Sequence, residues 1–407
     1  MLGFGAAVST ALDHQQALDE VVPAALEQAG GGRPDLVACF FSMHHSERAA
    51  GIALGLSERT GTTAIIGCTA EGVIGAGREL EEGPALVVWV ARLPGVSVET
   101  FALDLVELTG GYGVSGWPDL EPAGRPDVLL LADPYSFPAD SFVRRLDEEQ
   151  RDVRVIGGLA SGGDSPEQHR LLFGDRALDS GAVGAAISGP VEVRAVVSQG
   201  CRPIGSPFTV TRCDGNLVHE LGGRPALERL RELIVRSGPA EQALLMRGVQ
   251  MGRVIDEHKA SFDRGDFLIR SLIGVDEDNG AIAISDQVEL GQTLQFHVRD
   301  AASASEDLEL LLAPVSGWDP RGTLVFSCNG RGRRLFSEPD HDAARVAKAT
   351  ADAPMAGFFA QGELGPVGGH NFLHGFTASL ALFCERPEDV TGVDVIAAEA
   401  TTPMTTT

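Results

Sequence analysis

The chain has 407 residues, with 57 acidic against 32 basic side chains and a formal net charge of −25. That charge repels phosphate backbones and anionic lipid, which excludes nucleic acid and membrane surfaces as general partners. Hydrophobic residues at 43% and charged residues at 22% are ordinary for a soluble chain that buries a sizeable core.

The first recognisable element is a buried strand over 34–41. A helix follows, with Ser46 as its expected N-cap and Ile52 and Leu56 on one face. A short strand over 63–66 then runs into the turn Gly67-Cys68-Thr69-Ala70-Glu71-Gly72, and strand-like runs cover 85–91 and 96–103. The same order returns further along. Pro126-Asp127 opens a strand over 128–131, Pro138 suits the first turn of a helix, and Phe142 and Leu146 share a face. A strand over 153–156 ends in Gly157-Gly158-Leu159-Ala160-Ser161-Gly162-Gly163, and strands near 181–188 and 191–198 complete the unit.

The middle of the chain, about 200–320, reads differently. Gly222-Gly223 precedes a helix with Leu227, Leu230 and Ile234 on one face, and Ser303…Glu306 is a capping-box candidate before Leu308, Leu311 and Leu312. Strands over 267–273, 281–285 and 293–299 alternate with turns, and Asn279-Gly280 is a hairpin signal. A third, fainter echo closes the chain: a strand over 323–327, a helix over 341–350 capped by Asp340, and strands over 355–359 and 376–383.

These elements predict an α/β (or α+β) fold. Its mixed parallel and antiparallel sheets are covered by helices, with an internal β-α-β-turn-β-β duplication. The expected domains are 1–200 and 201–385, followed by an at least partly disordered tail over 386–407.

Cysteine usage and the N-terminus bear on location. Cys39, Cys68, Cys201, Cys213, Cys328 and Cys384 are scattered without a Cys-x-x-Cys pair, which predicts reduced thiols in a cytoplasmic protein. No basic segment followed by an apolar run marks the N-terminus, and the apolar runs are strand-length.

The candidate site residues sit at strand ends. The first glycine turn offers backbone N–H groups, the Thr69 hydroxyl and the Glu71 carboxylate to a ligand beside Gly67 and Cys68, or is simply a tight turn. Gly158 and Ser161 hold the corresponding turn, whose spacing is not a dinucleotide fingerprint; no cofactor is expected. Arg331, in Cys328-Asn329-Gly330-Arg331-Gly332, has the planar donor fork that suits a carboxylate or phosphate. Neighbouring Arg333-Arg334 favours the plainer reading of a solvated loop. Glu363 suits an ammonium group, and together Arg331 and Glu363 complement a zwitterion such as an amino acid.

His370 and His374 are four residues apart, but in an extended chain their imidazoles lie roughly 13 Å apart. No metal is therefore expected, and Asn371 and His374 are read as pocket lining. Cys68 is the candidate nucleophile of an enzyme reading. No histidine lies beside it in sequence, and no Gly-x-Ser-x-Gly elbow occurs.

Taken in order, the two glycine turns, Pro203-Ile204-Gly205, Leu221-Gly222-Gly223-Arg224-Pro225, Cys328-Asn329-Gly330-Arg331-Gly332, Gly357-Phe358-Phe359-Ala360-Gln361-Gly362-Glu363-Leu364 and Leu373-His374-Gly375-Phe376-Thr377 resemble the FIST family. The resemblance runs from about 35 to 384. It implies a FIST N-terminal domain followed by a FIST C-terminal domain, acting as a sensory module for small ligands such as amino acids. Output would then pass to a separate signalling partner, because the chain has no room for an output domain. The resemblance carries over no catalytic residues. A cysteine enzyme using Cys68 and a ligand-free protein-interaction scaffold are the competing readings.

Overall fold

Three β-α-β crossovers organise the chain in the computed structural model, which describes residues 1–109, 111–120 and 126–386. The tail expected beyond Arg386 lies outside the described residues. The first crossover is Leu36–Ser42, the helix Ala49–Thr60 and Ile65–Ala70. The second is Asp127–Ala132, Ala139–Glu149 and Arg154–Leu159; the third is Gly322–Cys328, His341–Ala349 and Met355–Ala360. Within each, the two strands pair in parallel. Their residues are buried almost throughout, which is why they read as continuous apolar runs without alternation.

Each crossover carries two antiparallel strands on the same side. These are Leu86–Arg92 then Gly3–Ser9, Ala182–Ser188 then Ser97–Leu108, and Thr377–Glu385 then Val191–Gln199. The third echo is therefore a full copy, and the duplication is a triplication.

Hairpins bind the copies into a ring. Val73–Gly75 and Arg78–Leu80 leave the first unit and pair with Met355–Ala360 of the third. Glu363–Val367 and His370–His374 leave the third and pair with Arg154–Leu159 of the second. Leu171–Phe173 and Arg176–Leu178 leave the second and pair with Ile65–Ala70 of the first.

The inner faces of the three sheets share one core, in which Phe40 and Phe358 meet with ring centroids 4.9 Å apart. Helices cover the outer faces: His14–Gln28 and Ala49–Thr60 on the first sheet, Ala139–Glu149 on the second, Ala301–Leu312 and His341–Ala349 on the third. The body is thus a three-sided prism, with sheets inside and helices outside.

One copy holds an insertion. In the first unit residues 10–13 join the edge strand to the helix His14–Gln28, whose N-cap Asp13 accepts from Gln16 N. In the third unit the corresponding helix Ala301–Leu312 is capped by Asp300 in the same way, but residues 200–300 intervene. They contain a closed antiparallel barrel of six strands: Phe208–Asp214, Leu217–Leu221, Ala281–Ile284, Phe267–Asp276, Val249–Val254 and Thr293–Arg299. Its own core includes Val210, Ile282 and Phe296. Asn279-Gly280 makes the expected hairpin, with Gly280 at φ +66°.

Three expected caps differ. Ser46 lies within a 3₁₀ turn, Met43–Arg48, and the α-helix starts after it. Ser303 and Glu306 sit inside a helix already capped by Asp300. Asp340 adopts φ +58° and makes no side-chain cap. Glu79, carried in on the first unit's hairpin, instead accepts Asp342 N at 2.8 Å and Ala343 N at 3.0 Å. Local sequence could not show this cap because its carboxylate comes from another unit.

Candidate functional site

Strand register makes Gly67, Gly157 and Gly357 equivalent. A Cβ on any of them would lie 2.2, 1.9 or 1.9 Å from the carbonyl oxygen of Cys39, Leu130 or Val325, so each crossover needs glycine for close strand approach. Just beyond, the three turns meet one another. Ser161 N donates to Thr69 O at 3.3 Å and Gln361 N to Leu159 O at 3.1 Å. At the third contact the Ser161 hydroxyl bridges, accepting from Glu71 N at 2.9 Å and donating to Phe359 O.

The glycine turns therefore converge, but on each other rather than around a cavity. Ser161 is buried, and a Cβ on Gly158 would meet the Ala360 Cβ at 2.9 Å. Thr69 Oγ1 accepts Arg170 N at 3.0 Å. The Cys68 thiol lies in the shared core, and burial, then neighbouring Cys39, push its pKa well above the ordinary thiol value. A thiolate is disfavoured there.

The third copy departs from the other two in its buried charges. Glu363 pairs with Gly158 at the register position where the other hairpins place Val73 and Leu171. Arg331 follows its strand where the other copies have His45 and Ser136, and Asp342 takes the helix position of Ile52 and Phe142. Asp342 receives Arg331 Nε at 2.6 Å and Nη2 at 2.9 Å, along with Ser327 Oγ and the His341 ring. Burial opposes ionisation of Asp342, yet the Arg331 guanidinium holds its carboxyl far below the usual range. Glu363 Oε2 accepts Thr377 N at 3.1 Å and Thr377 Oγ1 at 2.8 Å. With no ion-pair partner among the described residues, Glu363 is pushed up by burial to about 8. Arg331 Nη1 and Glu363 Oε1 have no hydrogen-bond partner among the described residues.

Clefts open where the end of one unit meets the next. Between the first and third units, Glu71, Glu81 and Asn329 line a cleft of about 290 Å³, and Arg334 Nη1 reaches Glu71 at 3.0 Å. Between the third and second units, Gln361, His374 and Phe376 face Asp140 and Arg144 across a cleft of about 490 Å³. The inserted barrel roofs one side of this second cleft with Asn216, Arg270 and Asp286, and the cleft stays open to solvent.

Arg270 fastens the roof. Its Nε donates to Asp286 at 2.9 Å, Nη1 to Leu373 O at 2.8 Å and Nη2 to Asp140 at 3.2 Å. Burial works against the Asp286 charge, but Arg270 and Arg253 keep it below the ordinary carboxylate range. Burial lowers His374 to about 4, so its ring is neutral, with Nε2 3.0 Å from Gly365 O. Phe376 lines the cleft at φ +61°, a strained backbone for a bulky side chain.

Of the residues expected at a site, His374 lines the barrel-roofed cleft and Glu71 the cleft between the first and third units. Arg331 and Glu363 lie behind the roofed cleft, and Gly67, Cys68, Thr69, Gly158 and Ser161 are packing or bridging residues. Asn371 is a strand clamp: Oδ1 accepts Val155 N at 2.7 Å, while Nδ2 donates to Asp147 and Val153 O. Arg270, Asp286, Gln361 and Phe376 were missed. The available signal was Arg270 itself, a lone charge ending the apolar run Phe267-Leu268-Ile269. Among the described residues, no cluster of His, Cys, Asp and Glu could hold a metal ion, and no helix is long and apolar enough to cross a membrane.

The fold is a ring of three crossover units with an inserted barrel beside one inter-unit cleft. The chain belongs to the FIST family: the FIST N domain matches residues 35–224 and the FIST C domain residues 226–366. FIST domains are generally sensory or signalling modules. An uncharacterised protein of Mycobacterium tuberculosis is 45% identical over 385 residues, spanning 94% of this chain and 99% of its own length. An uncharacterised protein of Mycobacterium bovis is 42% identical over 387 residues, with the same coverage of both chains.

Proposed function

We propose that the protein is a cytoplasmic sensory module that binds a small ligand, an amino acid or related metabolite, in the roofed cleft and passes the signal to a separate protein partner. One observation carries this reading: corresponding clefts lie at two junctions of the ring, and the inserted barrel adds a charged wall to one of them. That cleft has a volume suited to a metabolite and offers both signs of charge, from Arg144 and Arg270 and from Asp140 and Asp286. Such a lining suits the two charged groups of an amino acid head. The buried, high-pKa thiol of Cys68 gives the enzyme reading no comparable support.

Thermal-shift screening of the full chain against amino acids and small metabolites tests the reading. A ligand at a hundred times its Kd adds about 2.7 kcal/mol of apparent stability. Ser141→Trp places bulk on the exposed helix face of the cleft and should abolish the shift while leaving the unliganded Tm unchanged. A shift that survives Ser141→Trp would put the ligand elsewhere.

A further inference from the structure

The seam between the barrel and the third unit holds buried polar atoms that the fold leaves without partners. Gln199 is opposite Thr377 in the sheet, and Thr377 bonds Glu363. The amide Nε2 of Gln199 donates to Phe267 O at 2.8 Å, which leaves Oε1 unpaired among the described residues. Arg331 Nη1 lies against the next residue, Gly200, where a Cβ would stand 3.1 Å from it. Gln199, Arg331 and Glu363 are 4%, 0% and 0% exposed. Each orphaned buried atom costs roughly 1–3 kcal/mol, and charged ones more.

The fold does not require Arg331 and Glu363, since the other two units complete the same architecture with Val73 and Leu171 in the place of Glu363, and with His45 and Ser136 in the place of Arg331.

Phe376 separates this cluster from the roofed cleft. It lines the cleft, and its carbonyl accepts Gly200 N at 2.7 Å. Its ring lies 5.2 Å from the Arg299 guanidinium carbon, and its backbone holds the strained φ of +61°. Movement of this one residue would open the cluster to the cleft.

The electrostatics select what could enter. Arg331 is already neutralised by its two-pronged pairing with Asp342. Glu363 is held uncharged by burial, with its pKa near 8. A guest bearing a full charge would be desolvated without a counter-ion, which buried sites penalise heavily. The free positions are two donors, Arg331 Nη1 and the Glu363 Oε1 hydroxyl, and one acceptor, Gln199 Oε1, and a neutral group with a carbonyl acceptor and an N–H donor meets all three.

We propose that the deep end of the ligand passes Phe376 and docks as a neutral carboxamide or ureido group, its carbonyl accepting from Arg331 Nη1 and from the Glu363 Oε1 hydroxyl and its N–H donating to Gln199 Oε1. This rests on the reading of the roofed cleft as the ligand site. It replaces a charged partner for Arg331 and Glu363 with a neutral one.

Two pairs of near-isosteric probes test it by calorimetry on the full chain: glutamine against glutamate, and citrulline against arginine. The neutral member of each pair should bind at least about tenfold more tightly, roughly the 1.4 kcal/mol that a tenfold change in Kd represents. Glu363→Val, which installs the first unit's residue, and Gln199→Leu should each erase that preference. Phe376→Gly, which relieves the backbone strain, should tighten the neutral probes.

Tighter binding of the charged member in either pair would overturn the proposal. So would a neutral preference that persists in both Glu363→Val and Gln199→Leu, or no binding of any of the four probes, which would leave the seam to internal water. If other metabolites bind the cleft and respond to Ser141→Trp while these outcomes hold, the cleft reading stands and the seam reading alone falls.

Discussion

The first and third units share a strand order, a crossover register and a capped helix after the edge strand, yet they spend their interiors differently. Where the first unit has Ile52 and Val73, the third has Asp342 and Glu363, and a barrel replaces the short link of residues 10–13. The first unit is the control that nature supplies: it shows what the architecture needs in order to fold. The third then shows what has been added, and the additions are the buried Arg331, Asp342 and Glu363 and the inserted barrel. They lie together, behind and over one cleft.

The largest effect should come from breaking the added ion pair on one side only. Asp342→Ala leaves the Arg331 guanidinium buried and uncompensated, and is expected to cost about 3–5 kcal/mol in urea denaturation. Replacing the set together should not. Arg331→Met with Asp342→Ile and Glu363→Val gives the third unit an apolar interior like that of the first, and is expected to be neutral or stabilising by about 1–4 kcal/mol. A triple variant as unstable as the single one would mean that the third copy needs its charges to fold, and the comparison would fail.

A second test reads the same difference through pH. The Glu363 carboxyl titrates near 8 in the fold against an ordinary 4.5, so between those values the folded protein holds a proton that the unfolded chain has released. Stability should therefore fall as pH rises across that window and level off above it, with on the order of 1.4 kcal/mol for each unit of separation. Glu79, raised by burial to about 7, acts in the same direction. His374 and His297, lowered by burial to about 4, act oppositely below 6.5, where rising pH removes the cost of keeping them neutral. The clean range is thus pH 7–8. There Glu363→Val should flatten the decline seen in the wild type, and an unchanged slope would show that Glu363 titrates normally.

Much of the body was legible in sequence because both faces of its crossover strands are buried. Runs such as Leu36–Ser42 and Asp127–Ala132 therefore stand out as apolar blocks, and glycine turns mark the ends of their partner strands. The exchanged hairpins were not legible. Val73–Gly75 and Arg78–Leu80 are three residues each, and their partner strand lies at the far end of the chain. For the same reason the turns looked like an open pocket. The groups that fill the space around Ser161 come from residues 69–71 and 359, and no local pattern announces them. Arg331 and Glu363 could be singled out by their chemistry, since a charge beside a glycine turn in an apolar stretch is unusual. That both would be sealed behind Phe376 depends on the barrel, which closes over them only in three dimensions.

The smallest expected effect separates the three turns themselves. Glu71, Ser161 and Gln361 occupy the same place in the three copies, one residue past Ala70, Ala160 and Ala360. Only Ser161 is buried with a side chain that bridges two neighbouring units. Ser161→Ala leaves Glu71 N and Phe359 O without that bridge, and should cost about 1–3 kcal/mol. Glu71→Ala removes a partly exposed pairing with Arg334, and should cost no more than about 1 kcal/mol. Equal losses at both positions in denaturant titrations would mean that the hydroxyl does not close the ring. The third inter-turn contact would then rest on the backbone hydrogen bond from Phe359 N to Gly72 O, 3.0 Å long.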